Sequence, residues 1–204
     1  MRPPEHDSYM LARLREHYLI RFRPPLLIEQ AAVCDICRHA RIGYETPLKR
    51  ETYGFLFGTL DRGGRLTIRR AVYYRGGTKT RSAVQFKDLP TFQRLVTRRL
   101  ALSKRLRLRF AGCFHSHVEI AGKVQRGLSP EDRESFDSDF MSSIELVAFV
   151  WPGGGPPRST SRTSVVAYDS CREYHFRVRA YAKRPSGIRQ VPLKAIPPGL
   201  ITLH

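Results

Sequence analysis

Residues 51–64, with the sequence ETYGFLFGTLDRGG, hold the strongest structural signal in the chain. Residues 53–60 form a mostly apolar run rich in aromatic side chains, and residues 61–64 have the composition of a tight hairpin turn. Residues 65–74 then alternate apolar and polar side chains, as a strand with one buried face does. The stretch therefore predicts a β-hairpin in the core of the protein.

Apolar periodicity on both sides of the hairpin predicts three helices and four further strands. The predicted helices cover residues 28–42, 89–104 and 129–141. The predicted strands cover residues 108–117, 144–151, 165–168 and 174–182. A mainly antiparallel sheet flanked by helices indicates an α+β fold, arranged as an α/β sandwich.

The length of 204 residues fits one domain better than two. We expect this domain to cover residues 24–182. Residues 1–23 form an N-terminal extension whose apolar spacing is compatible with a short amphipathic helix. Residues 183–204 form a proline-rich tail that holds little that could pack.

The composition is strongly basic, with 36 Lys and Arg against 18 Asp and Glu and a formal net charge of +18. Such a charge favours an acidic protein partner or nucleic acid, although the basic segments lack the interleaved aromatic residues that stack on bases. Only four cysteines are present, and no apolar run has membrane-spanning length. We therefore expect a cytoplasmic protein that does not enter a membrane.

Two histidines in the predicted strand 108–117 are candidate metal ligands. Residues two apart in a strand project on the same side, so His115 and His117 face the same way. A third ligand is available at Asp132, which follows the helix start formed by Ser129 and Pro130. Two imidazoles and one carboxylate leave a fourth position open, which is the pattern of a catalytic zinc site.

A candidate base for such a site lies just before the first strand of the hairpin. Glu51 is placed where its carboxylate can face a metal held by a neighbouring strand. The strand after it contains Gly54 and Gly58, which weaken a strand unless another group approaches its backbone closely. This segment therefore predicts a tightly packed strand with an acidic residue at its entrance.

These three segments together resemble the JAMM motif of MPN domains. The matching residues are Glu51-x-x-Gly54-Phe-Leu-Phe-Gly58, His115-Ser-His117 and Ser129-x-x-Asp132, and the resemblance covers about residues 25–180. Members of this family are zinc metalloproteases that cleave isopeptide or peptide bonds after ubiquitin or ubiquitin-like proteins. The resemblance implies an MPN-like mixed sheet with helices on its faces.

The resemblance also implies a role for each matching residue. His115, His117 and Asp132 would hold one Zn²⁺ per chain. Glu51 would be the general base that activates a water molecule, and Ser129 would polarise the scissile carbonyl.

The chain departs from the family pattern after the second histidine. The family usually has proline there and about seven residues before the serine, whereas Val118 follows His117 and residues 118–128 intervene. A longer loop costs little entropy, so Asp132 can still reach the metal. The loop borders the cleft, and we expect it to alter the choice of substrate. Residues 75–82 and 152–164 resemble the family's two variable insertions and are candidate substrate clamps.

Other residues admit simpler interpretations. Cys113 shares the face of His115 and His117, but it is expected to be a small buried side chain rather than a ligand. Cys34 and Cys37 form a single CxxC within a predicted helix, where thiols on a helix face are favoured over a redox pair. A run of basic residues between 94 and 105, which includes Arg99, is expected to be a solvated face.

Two functions are compatible with the sequence. The first is a zinc-dependent hydrolase that cleaves conjugates or precursors of a ubiquitin-like protein, with an acidic substrate. The second is a non-catalytic MPN-fold scaffold that binds acidic proteins or nucleic acid through its basic surface. The intact ligand set favours the enzyme, and the altered loop favours the scaffold more weakly.

Overall fold

The computed structural model describes residues 19–75, 78–79, 84–85, 89–119, 125, 127–157 and 161–203. Three helices lie in this part of the chain: α1 (Gln30–Tyr44), α2 (Leu89–Leu106) and α3 (Pro130–Ser138). The strands are β1 (Arg23–Glu29), β2 (Tyr53–Leu60), β3 (Arg65–Tyr73), β4 (Thr78–Lys79), β5 (Val84–Gln85), β6 (Arg109–Val118), β7 (Ile144–Pro152), β8 (Ser164–Asp169), β9 (Tyr174–Arg184), β10 (Gly187–Val191), β11 (Leu193–Ile196) and β12 (Ile201–Leu203). The predicted helices and strands are present, with ends shifted by a few residues.

Ten of these strands form one curled, mixed sheet. Their order is β11-β1-β3-β2-β6-β7-β9-β8-β12, with β10 beside the end of β9, while β4 and β5 pair separately. Antiparallel pairs outnumber parallel ones, which confirms the predicted mainly antiparallel sheet with helices. The curl brings β11, at one end of the sheet, close to β8, the next-to-last strand at the other end: the backbone N–H of Leu193 in β11 donates to the carbonyl oxygen of Thr163, just before β8.

The helices lie on both faces of the sheet. Helix α1 covers one face, where Val33 and Ile36 pack into the main core with Ala148 of β7 and Val178 of β9. These apolar positions follow the spacing of one helix face, which is why the sequence predicted this helix. No helix in the described residues combines the length and the apolar character needed to cross a bilayer.

The opposite face is covered by α2 and α3. Leu95 and Leu102 of α2 pack with the aromatic side chains of β2 and β6. Phe136 of α3 packs with Val147 and Phe149 of β7. The sheet is therefore buried on both sides around β6, the strand that carries the two candidate histidines.

The glycines of β2 are required by close packing, as predicted. A Cβ atom on Gly54 would lie 2.3 Å from the ring of Phe114 and 2.5 Å from the carbonyl oxygen of Val72. A Cβ atom on Gly58 would lie 2.2 Å from the carbonyl oxygen of Thr67. Because these neighbours are mostly backbone atoms of the paired strands, they cannot move aside cheaply.

The prediction that residues 183–204 hold little that could pack is wrong. They form β10, β11 and β12, and their apolar side chains Val191, Leu193, Ile201 and Leu203 are buried. The prolines break this segment into short strands without excluding it from the sheet, since β11 pairs in parallel with β1. Too few residues per strand remain for a periodic pattern to be visible in the sequence.

The amino-terminal boundary also differs from the prediction. Ile20 and Phe22 are buried in the main core, and residues 23–29 form β1 rather than a break followed by a helix start. The short helix predicted within residues 1–23 falls mostly on residues 1–18, which lie outside the described residues, and residues 19–22 are not helical. The packed unit therefore begins before residue 24.

One member of the predicted basic face of α2 is buried. Arg99 is fully enclosed because it lies on the same side of the helix as Leu95 and Leu102. Its guanidinium forms two hydrogen bonds to Asp139, of 2.9 and 2.6 Å, and lies over the ring of Phe110. Arg98, Lys104 and Arg105 are exposed, as predicted.

This pair generates a stability prediction. Arg99→Ala leaves the Asp139 carboxylate buried without its cation, so the free energy of unfolding should fall by about 3–5 kcal/mol. Arg98→Ala, one residue away and exposed, is the matched control and should change it by no more than about 0.5 kcal/mol. Urea unfolding followed by circular dichroism measures both. Equal effects of the two substitutions would show that the buried pair does not contribute.

Candidate metal centre

Strand β6 places two imidazoles side by side. His115 and His117 are both buried and lie on one face of the strand, and their Nε2 atoms are 3.0 Å apart. Neighbouring strands hold this face in register, since Tyr53 of β2 pairs with His115 and Phe149 of β7 pairs with His117. The pairing of β6 with β2 and β7 therefore fixes the positions of the two histidines.

The amino terminus of α3 supplies the carboxylate. Ser129 caps the helix: its hydroxyl oxygen accepts from the backbone N–H of Asp132 at 3.0 Å, and its own N–H donates to Asp132 Oδ2 at 2.8 Å. Pro130 occupies the first turn, as the sequence predicted. The same Oδ2 lies 3.1 Å from His117 Nε2 and 3.7 Å from His115 Nε2.

The three donor atoms fit a zinc ion. Two ligands about 2.0–2.1 Å from a tetrahedral ion are separated by about 3.3 Å. The observed separations of 3.0, 3.1 and 3.7 Å surround that value. His115, His117 and Asp132 are the group in the described residues whose donor atoms converge closely enough to hold a metal.

The electrostatics of this group also favour a cation. Burial lowers the pKa of His115, but the hydrogen bonds and charges of Asp132 and Glu145 outweigh it and hold that pKa well above its usual range. Burial raises the pKa of Asp132, but hydrogen bonds from the two histidines outweigh it and hold that pKa well below its usual range. A metal entering the site therefore displaces a proton, so its apparent affinity falls as the pH is lowered.

Glu145 supports the site from outside and was missed by the sequence analysis. This buried carboxylate on β7 lies 2.7 Å from His115 Nδ1, so it accepts the hydrogen bond that leaves Nε2 free to bind a metal. Its signal in the sequence was a single acidic residue inside the apolar run 144–151. The Nδ1 atom of His117 has no such partner among the described residues.

Glu51 lies at the edge of the same group. Its carboxylate is buried and is 3.9 Å from His117 Nε2. The pKa of Glu51 is raised to about 8, because burial and, more weakly, the charge of Asp132 outweigh the opposing effect of His115. A carboxyl group with this pKa accepts a proton more readily than an exposed one.

A second pair of side chains fixes the segment that carries Glu51. Ser116, which points away from its two histidine neighbours, accepts hydrogen bonds of 2.9 Å from both the N–H and the hydroxyl of Thr52. The backbone N–H of Ser116 donates in turn to the carbonyl oxygen of Thr52. The middle residue of His-Ser-His therefore positions the base.

The structure brings all five predicted site residues together and leaves Cys113 outside the group. The Cys113 thiol is buried beside Tyr53, Arg99 and Ser142, at 2.8, 3.1 and 3.3 Å.

The CxxC pair does not show the properties of a redox site. Burial raises the pKa of Cys34 and of Cys37, whereas an activated redox cysteine has a lowered pKa. Of the loops expected to border the cleft, residues 76–77, 80–82, 120–124, 126 and 158–160 lie outside the described residues.

Comparisons with known proteins show a shared fold. No family model and no curated protein match the chain. The chain is similar to the solution structure of protein DSY2949 from Desulfitobacterium hafniense, with a TM-score of 0.50 and 14% sequence identity. The match covers 84% of this chain and 92% of that one. At this identity the likeness concerns the arrangement of helices and strands and carries no information about activity.

The convergence of three donors predicts about one zinc ion per chain. His117→Ala and Asp132→Asn should each lose stoichiometric zinc, the second while keeping an oxygen that can cap α3. His39→Ala, a histidine on α1 that stacks on Tyr73, is the control and should retain it. Elemental analysis of the folded proteins decides the matter. Full zinc content in both site variants would place the metal elsewhere.

The hydrogen bond from His115 to Glu145 predicts that loss of the Glu145 charge weakens zinc binding less than loss of a ligand does. Glu145→Gln removes the charge that orients and polarises the imidazole, so zinc affinity should fall by about 10- to 100-fold. Stoichiometry at saturating zinc should stay unchanged. Glu134→Gln, an exposed change of the same kind on α3, should leave the affinity as it is. Competition with a fluorescent chelator measures the difference, and equal affinities of the two variants would refute this role.

Proposed function

We propose that the protein is a zinc-dependent peptidase or isopeptidase of the JAMM type. The observation that carries the proposal is the convergence of His115, His117 and Asp132, with the buried Glu51 carboxylate 3.9 Å from His117. Two histidines and one carboxylate with a separate acidic neighbour are the parts that metal-assisted hydrolysis needs.

Each residue takes one task in this mechanism. A bound zinc ion would supply a Lewis acid that lowers the pKa of a water molecule and polarises the scissile carbonyl. Glu51 would take the proton from the attacking water and deliver it to the departing amine. The Ser129 hydroxyl, whose oxygen already accepts from Asp132 N–H, keeps its own proton to donate to the carbonyl oxygen.

The order of elements around these residues supports the family proposal. A helix precedes the β2–β3 hairpin, the histidine strand follows α2, and the aspartate lies in the first turn of α3. This order resembles that of MPN domains. Val118 and the loop of residues 118–128 remain the departures that bear on the substrate.

We propose a ubiquitin-like conjugate or precursor as the substrate class, with an acidic surface that complements the net charge of +18. The four cysteines are free thiols, which fits the proposed cytoplasmic location. The alternative of a scaffold for acidic proteins or nucleic acid gives a different experimental result. Such a scaffold would bind its partner without cleaving it.

The test separates catalysis from metal binding. Glu51→Gln keeps the size of the side chain but cannot accept the proton, so zinc content should be retained while turnover falls by about 10²- to 10⁴-fold. Glu45→Gln is the control, because Glu45 is exposed and lies, like Glu51, between α1 and β2. The assay is cleavage of a panel of ubiquitin-like fusions, with and without a chelator. A Glu51→Gln protein that cleaves at the unmutated rate would exclude this mechanism, and zinc-loaded protein inert to every fusion would favour the scaffold.

A further inference from the structure

The end of the sheet opposite the metal centre is strongly basic. Three segments lie there: residues 19–23, which lead into β1, residues 60–66, which form the turn of the β2–β3 hairpin, and residues 104–110, which join α2 to β6. Together these three segments form the basic pole of the protein.

Strand pairing brings the three segments together. Arg23 of β1 is paired with Arg65 of β3, and Arg109 of β6 is paired with Gly58 of β2, just before the turn. Neighbouring strands are about 4.8 Å apart, so the pole spans about 15 Å from β1 to β6. His115 lies about 20 Å farther along β6 than Arg109. The basic pole is therefore separate from the metal centre.

The basic pole holds eight cationic side chains and one carboxylate. All eight cations are exposed, and they are Arg21, Arg23, Arg62, Arg65, Lys104, Arg105, Arg107 and Arg109. None of them forms an ion pair with another described residue. The carboxylate is that of Asp61, which accepts a hydrogen bond of 2.9 Å from the backbone N–H of Arg65 and so closes the turn.

This concentration of like charges opposes folding. Arg23 and Arg65 are directly opposed on adjacent strands, where two charges of the same sign are destabilising. Lys104 and Arg105 are explained by their place in the last turn of α2, where the helix dipole favours cations. No such interaction within the described residues accounts for the other six. Their cost in stability is instead offset when an anion binds to them.

The composition of the pole favours a phosphate backbone over an acidic protein. Protein interfaces have an apolar centre with aromatic anchors. In the pole, Phe22, Leu66 and Phe110 are buried, and no large apolar side chain among its described residues is exposed. Contacts to phosphates need only charge and N–H donors. Single strands are bound in addition by stacking of bases on aromatic rings, which the pole does not expose, so a duplex fits better.

We propose that the basic pole binds the phosphate backbone of a double-stranded nucleic acid without reading its sequence. A guanidinium binds phosphate oxygens through paired N–H groups, which suits a cluster made mostly of arginine. A duplex carries about one charge per 1.7 Å, so 15 Å of it presents about nine phosphates to be shared among the cations. The proposal is independent of the proposed function, because it needs neither zinc nor Glu51. The metal centre stays open to a second partner while the duplex is bound.

Binding of a fluorescent duplex of about 20 base pairs and arbitrary sequence tests the proposal. Anisotropy titrations of the full chain use duplex DNA, duplex RNA and a single strand, at salt concentrations from about 50 to 200 mM. Polyglutamate serves as an acidic competitor at equal concentration of charge. The pole variant combines Arg23→Gln, Arg65→Gln, Arg107→Gln and Arg109→Gln. The control variant loses the same number of charges at exposed sites outside the pole, through Arg98→Gln, Arg162→Gln, Arg172→Gln and Lys194→Gln.

The unmodified protein should bind a duplex with an affinity that falls steeply as salt rises. The pole variant should bind about 10- to 100-fold more weakly at low salt, and its slope of log affinity against log salt should be smaller by about 3, because each phosphate contact contributes about 0.9. The control variant should stay within about threefold of the unmodified protein, because charges farther away than a Debye length are screened. Asp132→Asn, which alters the metal centre, should leave duplex binding unchanged.

Thermal unfolding checks that the variants are folded. The midpoint of the pole variant should not be lower than that of the unmodified protein, because the variant loses an opposed pair of like charges. Two smaller variants, one with the Arg23 and Arg65 substitutions and one with the Arg107 and Arg109 substitutions, should each give about half of the change in slope. They provide the same test if the fourfold variant does not fold.

Absence of duplex binding by the unmodified protein at about 50 mM salt would overturn the proposal. Equal losses in the pole and control variants would assign the binding to net charge and overturn the site. Tighter binding of the single strand, or displacement of the duplex by polyglutamate, would overturn the assignment to a duplex. Loss of binding in Asp132→Asn would move the duplex to the metal centre. Binding of either duplex that is weakened in the pole variant alone supports the proposal, and the tighter of the two identifies DNA or RNA as the ligand.

Discussion

Strand β6 is hydrogen-bonded along both edges, antiparallel to β2 and parallel to β7, and the arrangement of the metal centre depends on this pairing. Because the strand cannot shift its register without breaking both ladders, the alternation of its side chains is fixed. His115 and His117 must point to one side, and Ser116 must point to the other. The first side holds the metal ligands, and the second holds the segment that carries Glu51.

The features that could be predicted from the sequence have local signals. The hairpin of β2 and β3, the three helices and the His-Ser-His strand each show their periodicity within a few residues, and the family motif then related Glu51 and Asp132 to the histidines. Glu145 and Arg99 were not predicted as buried, because their environment comes from elements far away in sequence. Of the strands after residue 186, β11 pairs with β1 across most of the chain and β12 pairs with β8, while β10 is a short return strand beside β9, so none of them shows a periodic pattern of its own.

The burial of acidic groups changes how the net charge should be understood. Glu51, Glu145 and Asp169 are buried, and Asp132 and Asp139 are largely enclosed by their partners. These carboxylates neutralise internal cations or face the metal centre, so they contribute little negative charge to the surface. Arg99 is withdrawn from the surface together with Asp139, so such buried pairs cancel and leave the formal excess of +18 to the rest of the chain. A net charge of this size attracts acidic partners.

One oxygen of Asp132, Oδ2, contacts both the backbone N–H of Ser129 and the histidines of the metal centre. Its Oδ2 holds the first turn of α3 through Ser129 N–H, and the same atom faces the histidines. The other end of that helix is attached to α2 through Asp139 and Arg99. A metal ion bound by Oδ2 and the two histidines would link the amino terminus of α3 to the sheet, while the carboxyl terminus of α3 is already bonded to α2. Binding of a metal would therefore restrict the motion of α3 and, through the Asp139–Arg99 pair, of α2, although only the first turn of α3 touches the ion.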